Sequence, residues 1–153
     1  MLNIFKKYCY LICISYAFTA SINIETGWSF NQTVEQAFYL FENIYIDGQV
    51  AIGDGTAANQ TGYCVQNPGS CDVVGAFIER NEIDFGQDLN GDSTLTSSLE
   101  ICVGWGYADS SSSNFSTVPL MGADADIGPG YMQNNEIPYL KIYDASNDVI
   151  LPL

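Results

Sequence analysis

The residues whose types and spacing best suit chemistry lie between positions 88 and 100, where oxygen-bearing side chains alternate along an acidic, glycine-containing segment. A hard cation such as Ca²⁺ is bound by carboxylate, amide and carbonyl oxygens at alternating positions of a loop. Counted from Asp88, the ligands would be Asp88, Asn90, Asp92, the Thr94 carbonyl and Thr96. The spacing predicts a structural Ca²⁺ site.

The second half of this segment departs from the calcium-loop pattern. Leu99 replaces the carboxylate expected at the last ligand position, the acid comes one residue later as Glu100, and Ser93 stands where glycine is usual. We expect Glu100 to complete the ligand set, with Asp84 or Glu82 as substitutes. The competing interpretation is a solvated turn of Asp, Asn and Gly residues that binds no metal.

Catalysis has little support in the sequence. The chain contains no histidine, which excludes Ser-His-Asp and Cys-His nucleophilic sites and histidine-ligated metals. Paired carboxylates can hydrolyse glycosides, but 18 acidic residues make some pair inevitable. We therefore expect a protein that is not an enzyme.

Trp105 and Tyr107 are the aromatic residues that best suit ligand binding. They lie two positions apart, which places them on one face of a strand, and flat apolar rings of this kind stack on sugars. Core packing is the competing interpretation, and it is the one that we expect for most of the other aromatic residues.

Two apolar runs, residues 73–78 and 101–107, flank the acidic segment and must position it. Their β-branched and aromatic residues predict two strands joined by a long inserted acidic loop. Further strands are expected within residues 34–46, where a helix is the alternative, and at residues 116–121, an edge strand that tolerates proline. Residues 137–153 have the pattern of a hairpin. The sequence predicts an all-β fold, an antiparallel β-sandwich of Ig-like or jelly-roll-like type.

The first residues differ from the rest of the chain. Lys6 and Lys7 precede an apolar run at residues 8–20, which is typical of a secretory signal peptide and too short for a stable transmembrane helix. We expect residues 1–21 to be the signal peptide, an uncleaved anchor being the alternative, and residues 22–153 to be a single module. The mature chain is not expected to insert into a membrane.

Charge and cysteine content restrict the partners and the compartment. Without the predicted signal peptide, two basic residues stand against 18 acidic ones, and this surface repels nucleic acid. Cys64 and Cys71 bracket a turn-forming segment, which predicts a local disulfide in an oxidising compartment. Cys102 lies in an apolar run and is expected to be a buried free thiol.

Five segments follow one another in a fixed order between residues 25 and 153: QAFYLFENIYIDG, CDVVGAFIE, ICVGWGYAD, VPLMG and PGYMQNNEIPYLKIYDAS. In this succession the chain resembles a β-rich module of large secreted proteins of marine Gram-negative bacteria, often ones with a C-terminal secretion-sorting domain. The resemblance implies that a short turn usually joins the strands that here flank the acidic segment, so that this segment is an insertion. It also implies that the chain is truncated at its C-terminus.

The sequence and the resemblance together predict a function in binding. We expect a non-catalytic module, secreted or at the cell surface, that serves adhesion or display within a larger multimodular protein. Its partner would be a polysaccharide or a cell-surface protein. The alternative is a carbohydrate-binding module of a secreted degradative enzyme.

Overall fold

The computed structural model describes residues 20–53, 63–108 and 115–153. The predicted signal peptide up to residue 19 and the serine-rich residues 110–113 lie outside this part of the chain. The strands of the described residues are β1 (Ser21–Ile22), β2 (Ser29–Phe30), β3 (Gln36–Phe41), β4 (Tyr45–Ile46), β5 (Gln49–Val50), β6 (Val73–Arg80), β7 (Leu99–Tyr107), β8 (Ser116–Met121), β9 (Tyr139–Asp144) and β10 (Val149–Pro152).

Helical structure in the described residues is limited to single turns: α1 (Tyr63–Gln66), the 3-10 turn Pro68–Ser70 and α2 (Glu82–Phe85). No helix in this part of the chain has the length and apolar character needed to cross a membrane.

The main sheet has the strand order β10-β9-β6-β7, and each pair of neighbouring strands in it is antiparallel. Strands β3 and β8 form a second, two-stranded sheet. This sheet packs against β7, and the hydrophobic core lies between the two sheets. The predicted all-β antiparallel sandwich is confirmed. The strand in residues 34–46, the proline-containing strand at 116–121 and the hairpin in 137–153 are confirmed as β3, β8 and β9–β10.

Strand β6 is buried on both faces because its residues 73–78 are apolar or glycine without a break. Val74, Ala76 and Ile78 belong to the core between the two sheets. On the opposite face, Trp28 covers Phe77 with an edge-to-face contact, ring centroids 5.1 Å apart. Aromatic pairs of this geometry add about 0.5–1.5 kcal/mol to the burial of their area.

Three glycines allow the layers to approach β6 and β7 closely. A Cβ on Gly75 would lie 2.7 Å from the Trp28 ring, so this ring rests on the bare backbone. A Cβ on Gly104 or Gly106 would strike the backbone carbonyl of Pro119 or Thr117 in β8. The glycine positions therefore set the distance between β7 and β8.

A β-bulge in β7 determines which of its side chains face the core and which face the opposite side of the sheet. Ala76 pairs with Gly104 and Phe77 with Cys102, so Val103 is the extra residue. Val103 is buried in the core between the sheets, whereas Trp105 and Cys102 pack with the cluster on the other face.

The predicted disulfide between Cys64 and Cys71 is present, and both residues are fully buried. The bridge closes a loop with a sequence separation of 7 residues. By the chain-entropy estimate, a loop of this size contributes about 2.5 kcal/mol. It fixes the segment that leads into β6.

Substitution of Gly104 by alanine tests the close approach of β7 and β8. The new Cβ would lie 1.6 Å from the Pro119 carbonyl oxygen, which a backbone atom cannot avoid by a rotamer change. We expect the variant to lose roughly 1–3 kcal/mol of unfolding free energy, or more, in denaturant titrations. Gly69→Ala is the control, because its Cβ would meet only the Glu25 side chain at ordinary contact distance. Equal stability of the two variants would contradict the packing described here.

Candidate binding site

Residues 86–98, here called the acidic loop, are ordered by their own backbone amides. The Asp88 carboxylate accepts hydrogen bonds from Gly91 N–H at 2.6 Å and Ser93 N–H at 2.7 Å. Asp92 Oδ1 accepts from Thr94 N–H at 2.8 Å. The bond from Ser93 is the main reason that the pKa of Asp88 lies below its usual range, with the Gly91 bond in the same direction. The carboxylate is therefore ionised at neutral pH.

The buried Glu82 side chain links the two ends of the acidic loop by hydrogen bonds. Its side chain has no solvent exposure, and its oxygens accept from Leu89 N–H at 2.7 Å and from Thr96 N–H at 3.0 Å. The Thr96 hydroxyl donates to the same carboxylate, and Glu82 N–H donates to the Thr96 carbonyl. The amides of Leu89 and Thr96 hold the pKa of Glu82 below its ordinary value despite burial. One buried carboxylate therefore links Leu89 and Thr96 across the acidic loop.

The short helix α2 sets Glu82 in place. Asn81 caps its N-terminus by accepting from Ile83 N–H and Asp84 N–H, and Gly86 ends it in the left-handed region at φ 69°. An Asn cap and a Gly terminator are the usual local signals for such a turn. Asp84 accepts a hydrogen bond from the Asn81 side chain.

The predicted calcium ligands do not all come together. Asp88, Asn90 and Asp92 lie on one turn of the acidic loop, where hydrogen bonds join Asn90 to Asp92 and Asp92 to Thr94. The other two proposed ligands, Thr96 and Glu100, are held elsewhere.

The Thr96 hydroxyl donates to Glu82, and the buried Glu82 accepts from backbone amides, so both groups already have hydrogen-bond partners within the chain. In the described residues, no three acidic, histidine or cysteine side chains converge in a way that would hold a metal ion.

Glu100 projects from β7 onto the sheet face that carries Trp28. Its Oε2 accepts from the Tyr139 hydroxyl at 2.5 Å and from Lys141 Nζ at 2.6 Å. Burial opposes its ionisation, but the hydrogen bonds from Lys141 and Tyr139 prevail and lower its pKa. Lys141 Nζ also lies 4.9 Å from the centroid of the Phe77 ring. Glu100, the expected closing ligand of the metal site, is thus ion-paired with Lys141 of β9.

Trp105 and Tyr107 share the same sheet face, as the sequence predicts. Their rings meet edge to face with centroids 5.6 Å apart, and both are half-buried. The Trp105 Nε1–H donates to the Ser21 carbonyl at 3.1 Å, so β1 covers part of this ring. A role for the pair in ligand stacking stays a prediction.

A second carboxylate cluster, which sequence reasoning missed, joins three loops at the far end of β6. Asp72 accepts from Ile52 N–H at 2.6 Å and from Ala145 N–H at 2.8 Å. Burial raises the pKa of Asp72, and the charge of nearby Asp144 raises it further. Asp144 is itself bound by Ser146 and Asn147, whose hydrogen bonds lower its pKa. Only the Asp–Ala–Ser–Asn turn after β9 gives a signal for this cluster in the sequence.

A cleft of about 510 Å³ lies between the acidic loop, the turn before β2 and the start of β7. Trp28, Phe77 and Tyr131 line its inner part, and Asn90 and Glu100 line it from the loop and from β7. Cys102, the predicted free thiol, also lies there, and burial raises its pKa to about 12. The volume of the cleft falls in the range of small-molecule sites, roughly 300–1,000 Å³.

No protein family, curated protein or solved structure matches the chain. The resemblance to modules of secreted marine bacterial proteins therefore stays a prediction.

The stability of the acidic loop should depend on the ionisation of Glu82. Because its pKa is lowered in the folded state, its contribution is complete above the ordinary value of 4.5 and is lost as the pH falls through the lowered value. Glu82→Gln removes one acceptor for the Leu89 or Thr96 amide. We expect a lower unfolding temperature at pH 7 and faster hydrogen exchange at these two amides.

Glu42→Gln is the control for Glu82→Gln, since Glu42 is exposed on the chain after β3. The gap in unfolding temperature between wild type and Glu82→Gln should shrink on acidification below 4.5. A gap that stays constant across this range would show that the charge of Glu82 does not order the loop.

Proposed function

We propose that the chain is a non-catalytic extracellular module that serves adhesion or display within a larger protein. The observation that carries the proposal is the use of its carboxylates. Glu82, Asp88, Asp72 and Asp144 each accept hydrogen bonds from backbone amides of the chain itself. Carboxylates with such hydrogen bonds link segments of the chain to one another. A general acid or base, in contrast, must be within hydrogen-bond reach of a proton of the substrate.

The disulfide and the surface charge support an extracellular site of action. Disulfides persist in oxidising compartments, and the buried Cys64–Cys71 bridge leads directly into the central strand. A net charge of −14 keeps a protein soluble and apart from nucleic acids and anionic membranes. Secretion of the chain is part of the proposal.

The outer face of β3 supports membership of a larger protein. Phe38 is 56% exposed and Leu40 is 62% exposed, and they are neighbours on one face of the strand. Adjacent exposed apolar side chains are typical of surfaces that pack against another domain. A neighbouring module of the same protein is the occupant that the proposal implies.

The function can be tested by display of residues 22–153 on an inert bacterial surface. We expect displayed cells to attach to a polysaccharide or cell surface to which control cells do not attach. The purified module should release no reducing sugar from the same material. Product release that grows with module concentration and disappears in Glu100→Gln would contradict the proposal and favour a hydrolase.

Calcium binding by Asp88, Asn90 and Asp92 stays a prediction, and calorimetry tests it directly. If the loop binds Ca²⁺ in the folded state alone, a concentration 100-fold above Kd adds about 2.7 kcal/mol to stability. The unfolding temperature should then rise with calcium, and this rise should vanish in Asp92→Ala. Asp126→Ala, in the exposed turn before residue 130, is the control and should keep the rise. Equal unfolding temperatures in calcium and in chelator would remove the metal site.

A further inference from the structure

The cleft beside the acidic loop has a rigid apolar floor. Trp28 and Phe77 are locked edge to face and are almost fully buried. The hydroxyl of Tyr131 accepts a hydrogen bond from Asn31 N–H at 2.7 Å, which fixes this ring against the segment after β2. A floor held by packing and by a backbone hydrogen bond needs no rearrangement to receive a ligand.

The rim of the cleft carries polar groups with unused hydrogen-bonding capacity. Glu100 uses only Oε2 for Tyr139 and Lys141, and within the described residues its Oε1 has no hydrogen-bond partner. The side-chain amide of Asn31 and the hydroxyl of Ser29 also have none in this part of the structure. Glu100 is 42% exposed, so its open oxygen can be reached from solvent.

The charge around the cleft decides which ligands suit it. Lys141 is neutralised by Glu100, and Arg80 is bound to Glu136 and to the carbonyls of Gly130 and Tyr131. These two are the only basic residues outside the predicted signal peptide. Phosphate, sulfate or uronate groups would therefore meet carboxylates without a free cation, and a site of this kind repels them.

We propose that this cleft binds an uncharged glycan, and the inference rests on the proposed role in extracellular binding. The hydroxyls of a neutral sugar donate to Glu100 Oε1 and exchange hydrogen bonds with the Asn31 amide. The apolar face of the sugar contacts the small part of Trp28 that remains exposed, 9% of the residue, at the inner wall. This combination of apolar wall, amide and ionised carboxylate is the chemistry of a polyhydroxylated ligand.

Asn31→Ala gives the sharpest test, because the hydrogen bond from Asn31 to Tyr131 uses the backbone N–H and survives the substitution. Neutral, acidic and amino oligosaccharides are screened on an array with wild type, and Kd values for the binders follow from tryptophan fluorescence. We expect neutral sugars to bind and Asn31→Ala to weaken them at least about tenfold, a change of 1.4 kcal/mol. Its unfolding temperature should match that of wild type.

Asn134→Ala is the matched control, since Asn134 is exposed in the loop after Tyr131 and does not line the cleft. It should bind sugars as wild type does. The inference is overturned if no neutral glycan binds, if acidic sugars bind better, or if Asn31→Ala binds with unchanged affinity. If cells that display Asn31→Ala still attach, the cleft is not the site of attachment, but the proposed adhesion function is not contradicted.

Discussion

The structure depends on the burial of β6 on both of its faces. A strand in which residues 73–78 are all apolar or glycine is stable only if other residues cover each of its faces. The β3–β8 pair supplies one cover, and Trp28 supplies most of the other. Both covering layers approach the sheet so closely that a side chain would clash at the contact. Glycine therefore lies at these contacts: Gly75 against Trp28, and Gly104 and Gly106 against β8. The candidate site follows from this arrangement, because the cleft opens where the cover of Trp28 ends.

Much of the fold could be predicted from the sequence, because strands report on local pattern. The unbroken run of β6, the alternation of β9 and the turn after Asp144 each reflect neighbours in the chain, and so does the Cys64–Cys71 pair. The function of Glu82 could not be predicted in this way, since its partners Leu89 and Thr96 reach it only after the loop has folded over it. In the sequence it is one acid among several, and the spacing alone favoured it as a substitute metal ligand. The ion pair of Glu100 is hidden for the same reason, because its position in the loop pattern gives no information about Lys141, 41 residues away.

An acidic chain with so few cations must stabilise its carboxylates by other means. Backbone amides do this at Glu82 and Asp88, and the side chains of Ser146 and Asn147 do most of it at Asp144. At all three carboxylates the hydrogen bonds outweigh the cost of burial and lower the pKa. At Asp72 the balance is reversed, because burial and the charge of Asp144 together outweigh the amides of Ile52 and Ala145. Folding therefore favours protonation at Asp72 and opposes it at the other three. Their contributions to the pH dependence of stability have opposite signs: acid weakens the acidic loop, whereas protonation of Asp72 removes the cost of a buried charge beside Asp144.

The aromatic residues show how position in the fold decides what a ring can do. Trp105 and Tyr107 have the spacing of a stacking pair, but the Ser21 carbonyl accepts the Trp105 N–H and the two rings pack edge to face against each other. Trp28 has no comparable signal in the sequence, yet it lies where the cover of the sheet stops and the cleft begins. A ring needs both a fixed orientation and a polar neighbour with open hydrogen-bonding capacity to select a sugar. Trp28 has the first through Phe77 and the second through Asn31 and Glu100, which is why we propose the cleft, and not the pair on β7, as the glycan site.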